Sequence, residues 1–496
     1  MSMVGLHHYE GTGLGALGGF GASTYMEVQQ LQKALAAGYD VNPATMTGGA
    51  ALRVQSLEES LKIVTYTDRH IVFWRDVPKS PAYSTVEEFN TQDSYGDNFY
   101  GAFYREGELP LSNDSVYRRQ TALVKFMGVT KEVTHPATLI HPAHGNLIAK
   151  ENESGILWLL RQVEKSMFYG DSSLAFGGAE GEQWDGLRNL IAPDMLIDLE
   201  GAPLQEADFE EASNLLALNF AYPTDCYLGY NSLSDLIKIM YPRHRVSLPA
   251  PRDGRIGQAV NSITTQGGDL ALNATRFIER RPVAGAAARG PATHVPTAPA
   301  SVGVSIVPAA TTGEFDKSQG VLDAKYAYIV TAANRFGESA PTAAVLSASM
   351  LASVAETGGA ISLLITNSGS VAIPPEFYNI YRTVAQPDST TVAPTDPTEY
   401  NLIQQVPAES QASGGVTPAT AGTLLDLNWN MPFTEELFIG ELDPQVITFR
   451  QLAPLMKLDL AVLAPAFRWM ILLYGVLILF ANRKWMRIRN VGRLAL

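Results

Sequence analysis

A chain of 496 residues is long enough for two or more domains, and with 46% hydrophobic residues it can bury a large core. Its formal net charge of −14 argues against a dedicated nucleic-acid binder, which carries a basic footprint. The single cysteine, Cys226, excludes an internal disulfide and fits folding in a reducing compartment.

The first residues, "MSMVGLHHYEGTG", lack a basic region followed by an apolar one, so no secretory signal is expected and the chain reads as soluble and made inside a cell. Residues 1–50 are rich in Gly, Ala and Thr and read as an extended arm. Gly13-Thr-Gly15-Ala-Leu-Gly18 matches a dinucleotide fingerprint, but no strand precedes it, so it reads as a flexible Gly-rich run. "SLEESLKI" (Ser56–Ile63) predicts a short helix: Ser56 and Glu59 form a capping box, and Leu57, Leu61 and Val64 share a face. "TDRHIVFWRDV" (Thr67–Val77) predicts a strand.

Residues 84–115 are polar, aromatic and interrupted by glycine, which suits a long two-stranded loop. A lone two-stranded ribbon is marginal in water, so this one is expected to lie on a partner surface. Arg118–Thr134 reads as strands. Asn146–Gly170 then carries the strongest helical pattern. Ile156, Leu159, Leu160, Val163 and Met167 recur every three or four residues, with Arg161, Gln162 and Lys165 opposite. Asn146 is the expected N-cap and Gly170 the expected C′ residue. Such a helix is roughly 35 Å long.

A second helix is expected at about 206–220 and a strand at Pro223–Gly229. Asn231 or Ser232 would cap a further helix with Leu233, Leu236, Ile237 and Met240 on one face. Helix, strand and helix in succession imply an α/β layer. Composition shifts at about 282. Pro282–Ser301 is Pro/Ala/Gly-rich and reads as a linker. Residues 302–425 then offer several short strand candidates with Pro/Gly turns, as in a β-sandwich. That segment holds ten acidic and four basic residues, so it carries −6 of the net −14. From about 426 the earlier composition returns, so the sandwich reads as an insertion.

Near the C-terminus, the thirteen residues from Trp469 to Ala481 carry no charge, and Arg483, Lys484, Arg487, Arg489 and Arg493 follow. A membrane-spanning helix needs about 20 apolar residues, and Arg468 and Arg483 close this run too early. It reads as a strand buried on both faces or a short core helix, with Tyr474-Gly475 marking an irregularity.

Catalytic and metal-binding patterns are weak. His135, His141 and His144 lie in "HPATLIHPAH", but Pro136 and Pro142 break regular structure and no carboxylate or Cys lies within the run. His7 and His8 read as solvent-exposed. Asp185, Asp194, Asp198 and Glu200 read as a solvated acidic loop rather than an acid/base pair. Cys226 has no evident base. No catalytic residue, metal ligand or cofactor is expected.

The order of these features resembles the major capsid proteins of tailed bacteriophages, with the Hong Kong 97-type shell fold. The residues that carry the resemblance are "SLEESLK", "STVEEF…GELPLSND", "LLRQVEKSMFYGDSS", "WDGLRNLI", "EADFEEASNLLALNFAYPTDCYLGYNSLSDLIKIM" and "FRWMILLYGVLILFANRKWMRIRNVG", over roughly 50–281 and 426–496. "YAYIVTAANRFGESAPTAAV" resembles immunoglobulin-like or fibronectin type III repeats. The resemblance implies an α+β fold with an N-terminal arm (1–65) and an E-loop (84–115). It implies a peripheral domain (66–83 and 116–200) with a spine helix at 147–169, and an axial domain with closing strands (201–281 and 426–496). The linker (282–301) would lead to an inserted all-β immunoglobulin-like sandwich (302–425).

It implies a structural protein rather than an enzyme, found in the virion and assembled in the host cytoplasm. The expected partners are other copies in hexamers and pentamers, a separate scaffolding protein, a portal, a decoration protein and loosely packaged double-stranded DNA, with no membrane. Tyr95, Phe99, Tyr100, Phe103 and Tyr104 would supply contact area in the E-loop, and Arg105, Glu106 and Glu108 would set register. Some members cross-link Lys to Asn from this loop, but no Lys lies between Ser84 and Asp114, so a non-covalent shell is expected. The basic cluster after Trp469–Ala481 would be an edge for subunit contacts or for the lumen. An encapsulin-like compartment is the alternative within this fold, and a surface adhesin or carbohydrate-binding protein the alternative outside it.

Overall fold

The computed structural model describes residues 65–96, 102–110, 112–140, 146–174, 183–240, 260–278, 282–307, 313–315, 324–350, 359–366, 373–408, 424–461 and 465–494. The helix expected at Ser56–Ile63, and nearly all of the expected arm, lie outside them.

Thr67–Val77 is not a strand. It holds a 3-10 turn at Asp68–His70 and a short helix, α1, at Phe73–Asp76. The reason is tertiary. The wholly buried carboxylate of Glu164 accepts the backbone N–H groups of Val72 (3.1 Å), Phe73 (2.8 Å) and Trp74 (2.7 Å). N–H groups at a helix start lack intrahelical partners, and a carboxylate there satisfies them and complements the dipole. Burial pushes Glu164 above the ordinary carboxylate range, with the three bonds opposing it.

Next come β1 (Lys79–Pro81), β2 (Val86–Ser94), β3 (Val116–Leu123), β4 (Lys125–Thr134) and the short α2 (His135–Leu139). β2 and β3 pair antiparallel as an isolated ribbon, whose return strand begins just beyond the expected loop end at 115. The long helix α3 (Leu147–Tyr169) follows as its periodicity predicts. Asn146 caps it, its Oδ1 accepting from the N–H groups of Ile148 (2.9 Å) and Ala149 (3.4 Å). Its buried face runs through Gly155, Leu159, Val163, Met167 and Phe168. Gly170 ends the helix with φ −55° and ψ 142°, not in the left-handed region expected of a C′ glycine. Glycine is needed there for close approach. A Cβ would lie 2.4 Å from the carbonyl oxygen of Trp184, and Gly186, which donates to Gly170 at 2.9 Å, is as crowded.

The chain continues through α4 (Leu187–Leu190), β5 (Leu196–Asp198), α5 (Glu206–Leu218), β6 (Asp225–Leu228), α6 (Tyr230–Met240), β7 (Ser262–Thr265) and β8 (Gly268–Ala274). α5 and β6 fall where expected. α6 begins at Tyr230, so Asn231 and Ser232 lie in its first turn rather than capping it. They donate to the Glu435 carboxylate at 2.8 and 2.6 Å.

The inserted strands are β9 (Ser301–Val307), β10 (Ala324–Lys325), β11 (Ala327–Asn334), β12 (Gly337–Glu338), β13 (Val345–Leu346), β14 (Ala360–Thr366), β15 (Phe377–Arg382), β16 (Gln386–Pro387), β17 (Asn401–Pro407) and β18 (Leu425–Asp426). They form an antiparallel sheet in the order β12-β11-β15-β17, with β13 also on β11, and a second in the order β18-β14-β9. One apolar cluster joins the two sheets: Tyr328 and Val330 of β11 and Ile380 of β15 meet Val302 of β9 and Ile361 and Leu363 of β14. Buried Arg382 donates to Asp426 (2.6 Å) and Asn428 (2.6 Å), and Asp426 also accepts from the Tyr328 hydroxyl (2.8 Å). The expected linker is no tether. Val283 bridges to Asn401 and Arg289 to Glu338, while Ala284 packs with Ala327, Ile329 and Tyr381.

The chain returns through β19 (Glu435–Gly440), β20 (Ile447–Asp459), β21 (Ala466–Leu479) and β22 (Trp485–Val491). Two sheets use strands from both sides of the insertion: β1-β20-β21-β4, and β5-β22-β19-β6-β8-β7. Helix α3 packs into the core they share. Phe168 stacks on Phe73 (centroids 4.8 Å apart) and on Phe438 of β19 (5.5 Å). The uncharged run is the inner strand β21, with Trp469, Ile471, Leu473 and Leu477 buried. The register of β20 slips between Gln451 and Ala453, opposite Tyr474-Gly475, where a Cβ on Gly475 would meet the Phe449 ring at 2.4 Å. Most of the basic cluster beyond it is ion-paired within the chain. Arg483 pairs with Asp194 (3.1 Å), Lys484 with Glu441 (2.9 Å), Arg489 with Asp198 (2.8 Å) and Arg493 with Asp235 (2.5 Å). Among the described residues, no helix is long and apolar enough to cross a membrane.

Leu477→Asp would bury an unpaired carboxylate, and the expressed chain is expected in the insoluble fraction. Glu164→Gln turns an amide NH₂ toward backbone donors, and a loss of about 2–3 kcal/mol is expected in urea unfolding.

Candidate assembly surface

The ribbon of β2 and β3 is rooted firmly and covered poorly. At its root, the N–H of Val124 donates to Thr85 (2.9 Å) and that of Ala82 to Gln451 of β20 (2.7 Å). Phe89 meets Phe480 edge-on at 5.0 Å. Beyond that, the pairing runs from Val86–Leu123 to Ser94–Val116 with a slip between Gln92 and Ser94. Arg118–Asp93 (2.9 Å) and Arg119–Glu88 (3.5 Å) cross the strands. Such exposed pairs contribute at most about 1 kcal/mol each. Past β2 the chain turns at Gly96, whose φ of 99° favours glycine.

The expected contact residues sit at the free end. Tyr95 is 84% exposed, Phe103 97% and Tyr104 62%. Leu109 (91%) and Tyr117 (69%) extend the same apolar stretch. Neither was expected, because Leu109 sits in a Glu-Leu-Pro-Leu run with no periodic pattern and Tyr117 lies past residue 115. Phe99 and Tyr100 are outside the described residues. Arg105, Glu106 and Glu108 are all exposed, and among the described residues none of them forms an ion pair within the chain. Large apolar side chains exposed in this way are candidates for contact with another molecule.

No chemical constellation assembles elsewhere among the described residues. His135 is exposed, and His141 and His144 lie outside the described residues. Among the described residues no group of His, Cys, Asp and Glu could hold a metal ion. The acids are structural: Asp185 accepts from the N–H and hydroxyl of Ser172 (2.9 Å each), and Asp198 from Arg489 (2.8 Å) and Asn490 (2.9 Å). Cys226 is buried in β6, and burial pushes its thiol far above the ordinary range.

No protein-family model matches the chain. Curated relatives match it almost from end to end. It is 28% identical over 476 residues to the major capsid protein of Staphylococcus phage S25-3 and, over the same length, to that of Staphylococcus phage K, covering 94% of this chain and 96% of each relative. The chain is similar along its length to bacteriophage major capsid proteins. Among solved structures, one of Mycobacterium phage Bobi is similar at 6% identity and a TM-score of 0.43, covering 91% of this chain and 98% of that one.

Because Phe103 and Tyr104 touch little within the chain, replacing both by Ala is expected to change subunit stability by less than about 0.5 kcal/mol. Any multimer formed by the chain should weaken markedly in sedimentation velocity.

Proposed function

We propose that this chain is the major capsid protein of a tailed phage, a Hong Kong 97-type subunit that assembles into an icosahedral head around double-stranded DNA. The observation that carries this reading is the end-to-end relationship to phage capsid proteins, 94% of this chain against 96% of theirs. In this reading α3 is the spine helix, the ribbon is the E-loop, and Tyr95, Phe99, Tyr100, Phe103, Tyr104, Arg105, Glu106 and Glu108 engage a neighbouring subunit. Hexamers and pentamers form by many weak contacts closed by symmetry.

The two inserted sheets form an immunoglobulin-like domain that projects from the outer face, since a unit with its own core would obstruct closure elsewhere. A separate scaffolding protein, a portal and a decoration protein complete the particle, which assembles in the host cytoplasm. The shell is non-covalent, because the loop between Ser84 and Asp114 holds no Lys.

Negative-stain microscopy of the purified chain tests this. Icosahedral shells or capsomers are expected, and a persistent monomer overturns the reading; shells loaded with an enzyme rather than DNA in the native host would mean a compartment protein instead. Deleting 90–110 should leave a soluble subunit that makes no particles. Particles boiled in denaturant should run as one band, without a covalent ladder.

A further inference from the structure

Three arginines line one cavity of about 650 Å³: Arg188 of α4, and Arg487 and Arg489 of β22. Its wall also includes Glu314 and Trp429, which belong to the chain's passage into and out of the inserted sheets. The three side chains are not equally served. Arg489 holds two carboxylates, Asp198 at 2.8 Å and Glu314 at 2.8 Å. Arg188 donates to Asn430 (3.3 Å) and stands 4.0 Å from the buried carboxylate of Glu436. Among the described residues, Arg487 makes no side-chain hydrogen bond and no ion pair within 4.0 Å. Burial holds its pKa below the ordinary arginine value, and Arg188 and Arg489 add to this while Glu436 opposes it. Glu436 thus acts electrostatically on both guanidiniums, at 4.0 Å from Arg188 and without a close contact to Arg487.

We propose that this cavity binds a small oxyanion of the phosphate type between Arg188 and Arg487. A guanidinium offers paired N–H donors in a planar fork that fits two oxygens of such an anion. The anion would supply the second negative charge that Arg188 and Arg487 lack. Its walls come from the body and from the flanks of the insertion, so occupancy would also tie the two together. The site does not depend on the shell reading.

Thermal unfolding of the purified full chain tests this, in sodium phosphate and in sodium chloride matched for ionic strength. Phosphate is expected to raise the melting temperature saturably over chloride. Arg487→Gln is expected to abolish that gain, since it removes one of the two guanidinium forks that would hold the anion. Arg487→Lys, which keeps the charge but loses the fork, is expected to weaken phosphate binding about tenfold in calorimetric titration. Equal melting in the two salts, or an undiminished gain in Arg487→Gln, overturns the proposal. If Arg487→Gln fails to fold, unchanged phosphate affinity in Arg487→Lys overturns it instead.

Discussion

The buried carboxylate of Glu164 decides where the chain goes before the ribbon. By collecting three backbone N–H groups at Val72–Trp74 it fixes α1 against the C-terminal third of α3. That placement seats Trp74 edge-on to Phe449 at 4.9 Å and lets Lys79 donate to the Trp74 carbonyl at 2.6 Å. Lys79 is then in register with Phe449, in the parallel pairing of β1 with β20. The ribbon leaves from the end of β1, so its root depends on a single charged side chain inside the core. Removing one member of a buried polar arrangement costs more than the arrangement contributes, because the donors left behind are desolvated.

A second constraint joins the inserted sheets to the body. Asn490, at a φ of 57°, accepts from the N–H of Met431 (2.9 Å) and donates to Asp198 (2.9 Å) and the Trp429 carbonyl (3.1 Å). Arg489 beside it bridges Asp198 and Glu314. With Pro282–Ser301 laid against β11, β12 and β17 rather than spanning free space, the insertion is held at both of its chain ends.

The parts that were legible in the sequence have a local cause. Helix α3 shows in its three-and-four spacing and its Asn146 cap, and β21 in an apolar run too short for a bilayer. The parts that were not legible have a cause far away in sequence. Nothing near Phe73 announces that Glu164, about ninety residues on, will cap it. Gly170 looks like a left-handed C′ residue, whereas its need for glycine comes from the Trp184 carbonyl crossing close by. A Pro/Ala/Gly-rich stretch looks like a linker until the Ala284 contact with Tyr381 is seen. The basic cluster looks like a free patch because Asp194, Asp198 and Asp235, which neutralise much of it, lie more than two hundred residues upstream. At the ribbon, the aromatic residues were legible because exposure there follows from a lack of local core, while Leu109 and Tyr117 had no pattern of their own.

The strand order has a consequence in time. Lys79 pairs with Phe449 and Cys226 with Ile439, so both body sheets close loops of hundreds of residues. Such closures cost chain entropy that rises with loop length, and pairings so distant in sequence slow folding. β22 lies second in the six-stranded sheet and β21 third in the four-stranded one, yet both follow the insertion in chain order. The inserted sheets close within 301–426 and can be finished much earlier. A chain still being translated can thus carry a complete insertion on an open body. Since the ribbon's root is bonded to Gln451, it is completed only after the chain beyond the insertion has been made.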